Sequence, residues 1–253
     1  MKGGRAMNYI GSKRRLAARI VPHIQEAIKT TGFSLYLEPF VGGANVIDKV
    51  DAPYRIGADN QRYLVALLSA AGGVEHMPET ITRKEYEAVR ENKERYPEWY
   101  VGLVGFCASY KSKFFGGYAN GVHTKTGAIR NYTDESIRSL KRQREALSGI
   151  PFICCDYRDW LNVKNAVIYC DPPYRETTQY STGFFDSDAF FNWCRTVAQN
   201  NVLIVSEYDA PEDFTSVDAF GIRATLGAGQ AEKRAERIFT TGIGREILKG
   251  ATP

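Results

Sequence analysis

Histidine and paired cysteine are scarce in this chain. Among 253 residues there are three histidines, His23, His76 and His123, scattered along the chain. That scatter argues against a zinc site, and no metal is expected. The five cysteines, Cys107, Cys154, Cys155, Cys170 and Cys194, are odd in number and form no C-x-x-C pair. Cys154 and Cys170 lie in apolar runs and read as buried free thiols, in keeping with a reducing, cytoplasmic setting. No stretch approaches the roughly 18 consecutive apolar residues of a membrane span. The basic N-terminus has no apolar core behind it, so it does not read as a secretory signal. The six residues before Met7 read as an added leader, because "MNYIGSK" has the form of a natural start. Internal repeats and low-complexity tracts are missing. So is the G-x-G-x-x-G spacing, which disfavours a nicotinamide or flavin dinucleotide. Charge is also modest: the net value of +4 would not by itself point to nucleic acid. The cations do cluster, at Lys13, Arg14, Arg15 and Arg19, at Arg138, Lys141, Arg142 and Arg144, and at Lys233, Arg234 and Arg237. Each cluster alone reads equally well as a solvated helix face.

What is present is enough apolar sequence, 43% of the chain, for one sizeable core with a smaller attached domain. Leu16, Ile20, Ile24 and Ile28 recur every four residues and predict a helix over 12–28, with Pro22 kinking or shortening it. "SLYLEPF" (34–40) and "YRIGADN" (54–60) read as strands, the first running into a glycine turn. "PFICC" (151–155), "AVIYC" (166–170) and "VLIVSE" (202–207) are continuous apolar runs, which suit buried parallel strands. "SDAFFNWCRTVAQN" (187–200) is an amphipathic helix between two of them. The tail suggests two late strands around a basic, glycine-rich loop. Strands alternating with helices predict an α/β fold with a doubly wound, mostly parallel sheet. Strand signals are lacking from 72 to 150. That stretch reads as an inserted, mainly helical module, with Thr133 as the N-cap of a helix whose apolar face is Ile137, Leu140 and Leu147. The domains are thus 7–71 with 151–253, and 72–150.

Two constellations stand out. "EPFVGGAN" follows a strand, and its Gly42 and Gly43 let backbone approach a ligand closely. Seventeen residues past Gly42 comes Asp59, where α/β nucleotide folds place the acid that binds ribose hydroxyls. On its own this is close to an ordinary βα turn. The second is "DPPY". Asp171 is driven towards an extended conformation by the proline after it. Pro172 and Pro173 have no N–H, so the loop offers mainly carbonyl acceptors. A carboxylate beside a fixed carbonyl can accept both hydrogens of an amino group, and Tyr174 offers a flat stacking face. A rigid turn would explain two prolines, but not an acid and a ring at the carboxyl end of a strand, where open sheets bind ligands.

In order along nearly the whole chain, these segments resemble the S-adenosylmethionine-dependent DNA adenine-N6 methyltransferases of the Dam type, especially phage-borne ones. "NYIGSK" (8–13) looks like the family's N-terminal cofactor motif, "EPFVGGAN" like its glycine loop and "ADN" (58–60) like its ribose-binding segment. "CDYRDW" (155–160) looks like the segment flanking the cofactor adenine, and "DPPY" like the catalytic motif. The order is the family's alpha arrangement. The resemblance implies a class I methyltransferase, Rossmann-like fold with S-adenosyl-L-methionine as cofactor and double-stranded DNA as partner. Tyr9, Gly11 and Lys13 would line the methionine end. Pro39, Phe40, Gly42, Gly43 and Asn45 would form the turn beneath it. Asp59 and Asn60 would serve the ribose, and Asp156 and Tyr157 the adenine. Asp171, Pro172, Pro173 and Tyr174 would hold the target base, with Asp171 also near the cofactor. Two departures are visible. Ala44 stands where many members carry glycine, although alanine disfavours positive φ. Tyr9 stands where the best-known members carry tryptophan.

Hydrogen bonds from the target amine to Asp171 and the Pro172 carbonyl would localise its lone pair for direct attack on the sulfonium methyl. The base must leave the duplex to reach such a pocket. Target recognition is expected from the 72–150 insertion, which becomes the recognition domain. There Lys111, Lys113, Tyr118 and Asn120, with Phe114 and Phe115, would touch phosphates and wedge between bases, and Arg138, Lys141 and Arg142 would add phosphate contacts. An RNA adenine methyltransferase and a catalytically inactive DNA-binding relative stay open at this level. A glutamine methyltransferase is disfavoured, since those carry Asn in place of Asp171.

Overall fold

Apolar runs become buried strands here, and amphipathic runs become helices beside them. The computed structural model describes residues 7, 9, 11–73, 76–119, 121–123, 127, 129–173, 185–221 and 235–248. In chain order its elements are α1 (Ala17–Thr31), β1 (Leu35–Glu38), β2 (Tyr54–Asp59), α2 (Arg62–Ala71), α3 (Arg83–Glu91), α4 (Glu98–Gly102), β3 (Val122–His123) and β4 (Ile129–Arg130). There follow α5 (Tyr132–Leu147), β5 (Phe152–Cys154), β6 (Ala166–Cys170), α6 (Ser187–Val197), β7 (Val202–Glu207), β8 (Thr215–Gly221), β9 (Ala235–Thr240) and α7 (Gly244–Leu248).

Seven strands form one sheet in the order β5-β2-β1-β6-β7-β9-β8. The pairs β1 with β6, β6 with β7 and β2 with β5 are parallel, and β9 runs antiparallel to both β7 and β8. Ile168 of β6 sits level with Leu37 on one side and Leu203 on the other. This is the doubly wound, mostly parallel, Rossmann-like arrangement that the alternation of strands and helices predicts. Every residue of β6 and β7 is buried, as expected of parallel strands covered on both faces. β5 is different. It lies at the sheet edge, Ile153 and Cys154 are exposed, and the expectation of a buried Cys154 thiol is corrected.

The first helix also departs from its sequence pattern. A 3-10 turn at Lys13–Arg15 precedes it, with Ser12 Oγ accepting the Arg14 N–H at 3.3 Å. Pro22 does not end α1, which runs on to Thr31. Pro22 lies on the exposed side, and its missing N–H removes one ladder bond only. The buried face is Ala17, Ile20, Ile24 and Ala27, whereas Leu16 and Ile28 are half-buried.

The chain divides into two compact units: Met1–Ala17, Val41–Lys49 and Gly57–Cys155, and Ala18–Phe40, Val50–Ile56 and Asp156–Pro253. The core of the first holds Leu64, Leu67 and Leu68 of α2, Val101 of α4 and Ile137, Leu140 and Leu147 of α5, all buried. α4 continues into a π turn at Leu103–Cys107. Among the described residues the stretch from 72 to 150 is mainly helical, and it also holds a two-residue antiparallel ladder, Val122 with Arg130 and His123 with Ile129, which the sequence did not signal, and an isolated bridge between Ser109 and Tyr118. The core of the second unit joins Leu37, Ile168, Leu203 and Phe239 of the sheet to Phe190, Trp193, Cys194 and Val197 of α6.

The cap of α5 is also corrected. Asn131, not Thr133, is the N-cap, and its Oδ1 accepts the N–H groups of Thr133 at 3.1 Å and Asp134 at 3.2 Å. Thr133, two residues past the cap, is fully buried. Asn131→Ala should therefore cost about 1 kcal/mol of stability, read as a lower midpoint in urea unfolding, with Asn131→Asp close to the parent.

Candidate active site

The first unit holds a bend, just after residue 40, that only small residues can make. Gly42 has φ 48°, and a Cβ there would stand 3.1 Å from Cε1 of the Tyr9 ring. A Cβ on Gly43 would lie 2.8 Å from Tyr9 Cβ and 2.6 Å from Asn45 Nδ2. Both glycines are thus required by the close passage of Tyr9, one of them by its dihedral as well. Ala44 takes φ 54° although it carries a Cβ, a conformation that costs an L-residue roughly 1–2 kcal/mol. Local hydrogen bonds offset that cost. The Ala44 N–H donates to Val41 O at 2.8 Å, and the Gln143 amide donates to Ala44 O at 2.8 Å and to Gly43 O at 3.3 Å. Gln143 Nε2 also reaches Asp48 Oδ2 at 3.0 Å, and its Oε1 accepts the Met7 N–H at 3.0 Å. Asn45 Nδ2 donates to Met7 O at 3.2 Å, while its buried Oδ1 has no partner among the described residues.

The bend is tied to the end of β2. Asp59 Oδ2 accepts the Gly42 N–H at 3.2 Å, and Oδ1 accepts the Gln61 N–H at 3.0 Å. Burial pushes this carboxyl up to about 6, against the lowering effect of the N–H groups of Gln61, Gly42 and Asn60. Asn60 itself is exposed. Tyr9 packs against Phe106 at 5.8 Å, Gly11 is exposed with φ 74°, and Lys13 is buried.

The second unit carries the acid–proline turn. β6 ends at Cys170, and Asp171 and Pro173 are half-buried around a buried Pro172. Tyr174 lies outside the described residues. Burial, and then the Asp171 charge, push the Cys170 thiol well above its ordinary range. Glu38, at the end of β1, is buried and accepts the Tyr36 hydroxyl at 2.6 Å. Pro39 is buried behind it, and the Phe40 ring stacks on Tyr157 at 5.3 Å and meets Phe190 edge-on at 5.6 Å. Asp156 caps the short turn Tyr157–Trp160. It also grips Arg158, with Nε to Oδ1 at 2.6 Å, which lowers its carboxyl below the usual range.

Glycine bend, acid at the end of the second strand and acid–proline turn after the fourth in sheet order are now in view as separate pieces. The family model of D12 class N6 adenine-specific DNA methyltransferases matches residues 9–209. The chain belongs to this family. It is also similar to the type II methyltransferase M.FokI of Planomicrobium okeanokoites, 27% identical over 215 residues, or 75% of this chain and 31% of that protein. The chain thus spans about a third of the length of that relative.

In this family member the residues expected to meet DNA are not equally available. Lys111 and Lys113 are exposed, as are Arg138 and Arg142. Lys141 is paired with Glu79. Tyr118 donates its hydroxyl to Ile81 O at 2.7 Å and packs edge-on against Tyr86. Phe114 stacks on Tyr63 at 5.4 Å and Phe115 leans on Tyr86 at 5.3 Å, so these rings fasten the loop to its own unit. Asn120 lies outside the described residues. Among the described residues no group of histidine, cysteine, aspartate and glutamate could hold a metal ion, and no helix is long and apolar enough to cross a membrane.

The residue that sequence reading missed is Gln143. Its signal was a polar side chain set between Leu140 and Leu147 on the buried stripe of α5, where the period calls for an apolar one. Gln143→Leu should cost about 2–3 kcal/mol, because it strands the Met7 N–H and the carbonyls of the bend in a buried place. Urea unfolding measures this, and a midpoint equal to the parent's would show that the amide does not brace the bend.

Proposed function

We propose that this protein transfers a methyl group from S-adenosylmethionine to the N6 amino group of adenine in duplex DNA at a specific short sequence. The transfer would use base flipping and direct attack. The observation that carries this reading is the pair of acceptors at the carboxyl end of a fully buried parallel strand, Asp171 and the Pro172 carbonyl, in a member of an adenine-N6 family. Residues 7–71 and 151–253 would form the catalytic domain and residues 72–150 the recognition domain.

The residues present fit the cofactor. Asp59 is mostly ionised at neutral pH and could accept two ribose hydroxyls. Gly42 and Gly43 carry no Cβ, which lets the Tyr9 side chain lie directly against the bend. Gly11 and the Lys13 ammonium would serve the amino-acid end, and the Phe40 and Tyr157 rings, with Asp156, the adenine end. The buried, unpartnered Asn45 Oδ1 leaves one acceptor in the bend for a donor to fill. S-adenosylmethionine supplies the methyl carbon as an electrophile bonded to a positive sulfur.

The chain's own part is to make a poor nucleophile competent. The adenine N6 lone pair is delocalised into the ring. Two acceptors placed beside its hydrogens favour a pyramidal nitrogen and stabilise the positive charge that develops there. Proline fixes one of those acceptors by locking φ. Tyr174 would stack on the extruded base. A paired base is out of reach of such a site, so extrusion from the duplex is required.

Asp171→Ala should lower methyl incorporation into duplex DNA by about a thousandfold while calorimetry still detects cofactor binding; near-parental incorporation of labelled methyl groups would end this assignment. A second expectation concerns pH. The Asp59 carboxyl is raised to about 6 in the folded protein, against an ordinary 3.8. Between those values the folded state holds a proton that the unfolded chain has released, so this group makes the free protein less stable as pH rises through the window. A ligand that needs the carboxylate shows the opposite trend. Affinity for S-adenosylhomocysteine should be flat above about pH 7 and fall roughly tenfold per unit below about pH 6. Asp59→Asn should bind weakly and without that dependence. A parent profile that stays level down to pH 5 would remove Asp59 from the ribose.

A further inference from the structure

A concavity within the first unit begins at Tyr9 and Gly11, which the proposed function gives to the methyl donor, and extends beyond them to Tyr110 and Tyr132. It encloses about 520 Å3, within the range of roughly 300–1,000 Å3 common for small-ligand sites. Arg15 and Lys111 line it, with Arg14 beside them, and no aspartate or glutamate does among the described residues. Three tyrosines, Tyr9, Tyr110 and Tyr132, form aromatic walls, and serine hydroxyls fill the space between. Tyr110 is 59% exposed and Tyr132 38%, a large unpacked area for two rings in a unit where Phe106, Phe114, Phe115 and Tyr118 pack against neighbouring rings. Lys111 Nζ stands 5.4 Å over the Tyr110 ring. Among the described residues neither Arg15 nor Lys111 has an ion-pair partner.

The backbone that presents Tyr110 and Lys111 is strained. Lys111, Ser112 and Phe115 all have positive φ, 53°, 55° and 46°, without being glycine. Such residues persist only where surrounding bonds over-determine them. Here Tyr110 N–H donates to Gly117 O at 2.8 Å, Ser112 N–H to Ser109 O at 3.0 Å and Phe115 N–H to Gly105 O at 3.0 Å. The loop is fastened from beneath by its phenylalanines, while Tyr110 and Lys111 are left at the surface of the cavity.

We propose that this cavity holds one nucleotide of the DNA strand outside the extruded adenine, its phosphate on Arg15 and Lys111 and its base stacked on Tyr110. An excess of cations with no carboxylate selects an anion. An exposed ring beside the cations selects an anion that carries a flat aromatic group, the combination used to hold single nucleotides. The cavity is unsuited to gripping the target amine, since among the described residues it has no carboxylate acceptor equivalent to Asp171. The inference rests on the proposed function, and it adds Arg15 and Tyr110 to the residues that would meet DNA.

The test is fluorescence anisotropy of the full chain with a short labelled duplex over a salt series, paired with calorimetry for S-adenosylhomocysteine. Tyr110→Ala should weaken DNA binding about tenfold, whereas Tyr110→Phe, which keeps the stacking face, should stay within about twofold of the parent. Arg15→Ala should lower the slope of log affinity against log salt by about one. Cofactor affinity should be unchanged in all three. Parent-like DNA affinity and slope in Tyr110→Ala and Arg15→Ala would overturn the inference and leave the methyltransferase reading standing. Loss of cofactor affinity in place of DNA affinity would also overturn it, by assigning the cavity to the methyl donor. A parent chain that binds no duplex would fail the proposed function itself.

Discussion

The hydrogen bond from the Gly42 N–H to the Asp59 carboxylate is the contact on which the candidate cofactor half depends. It joins the bend at Gly42 to Asp59, the last residue of β2, both within the first unit. It also uses one of the four lone-pair sites of the carboxylate and leaves others for a ligand. The bend can reach Asp59 only by turning sharply, hence the positive φ at Gly42 and Ala44. The sharp turn in turn brings backbone against Tyr9, hence the absence of a Cβ at Gly42 and Gly43. Gln143 closes the arrangement from the far side by accepting from Met7 and donating to the bend.

Charge and burial divide the carboxylates into different tasks. Asp59 is raised by burial, yet the backbone donors hold it near 6, low enough to be ionised at neutral pH. Asp156 is lowered by Arg158 and spends its oxygens on that guanidinium and on its own turn. A carboxylate already so engaged is a weaker candidate to meet a ligand than the resemblance implies, and the neighbouring Tyr157 is largely buried among Phe40, Phe190 and Trp193.

Much of the fold was legible because strand burial leaves a strong trace. "AVIYC" and "VLIVSE" are apolar at every position, and a strand buried on both faces has no other way to be written. The position of Asp59 followed from spacing, since two successive strand ends in a doubly wound sheet are about one β-α-β repeat apart. What escaped was contact at long range or a choice between near equals. Gln143 meets Gly43 across 100 residues of sequence, and no local pattern records that. Asn131 and Thr133 are both competent N-caps, and only geometry shows Asn131 reaching two N–H groups. In "SYKSKFFGGY" the rings are chemically alike, so sequence could not separate Phe114, Phe115 and Tyr118, which pack inward, from Tyr110, which does not. Exposure at the edge of the sheet likewise cannot be read from "PFICC", which is as apolar as a central strand.

The thiols bear on how any chemistry beside Asp171 must run. Covalent attack by cysteine requires thiolate. Cys170 adjoins Asp171 in sequence, but it is fully buried, and both burial and the neighbouring carboxylate oppose its ionisation. Burial raises Cys194 in the same way and Cys107 to about 11. The negative charge that would serve an amine as hydrogen-bond acceptor is the same charge that disables the adjacent thiol as a nucleophile. A site arranged in this way gains nothing from a covalent adduct through Cys170. Under the proposed function, its catalytic power would have to come from how firmly the Pro172 carbonyl and the Asp171 carboxylate are aimed, and proline at both following positions restricts the backbone that sets that aim.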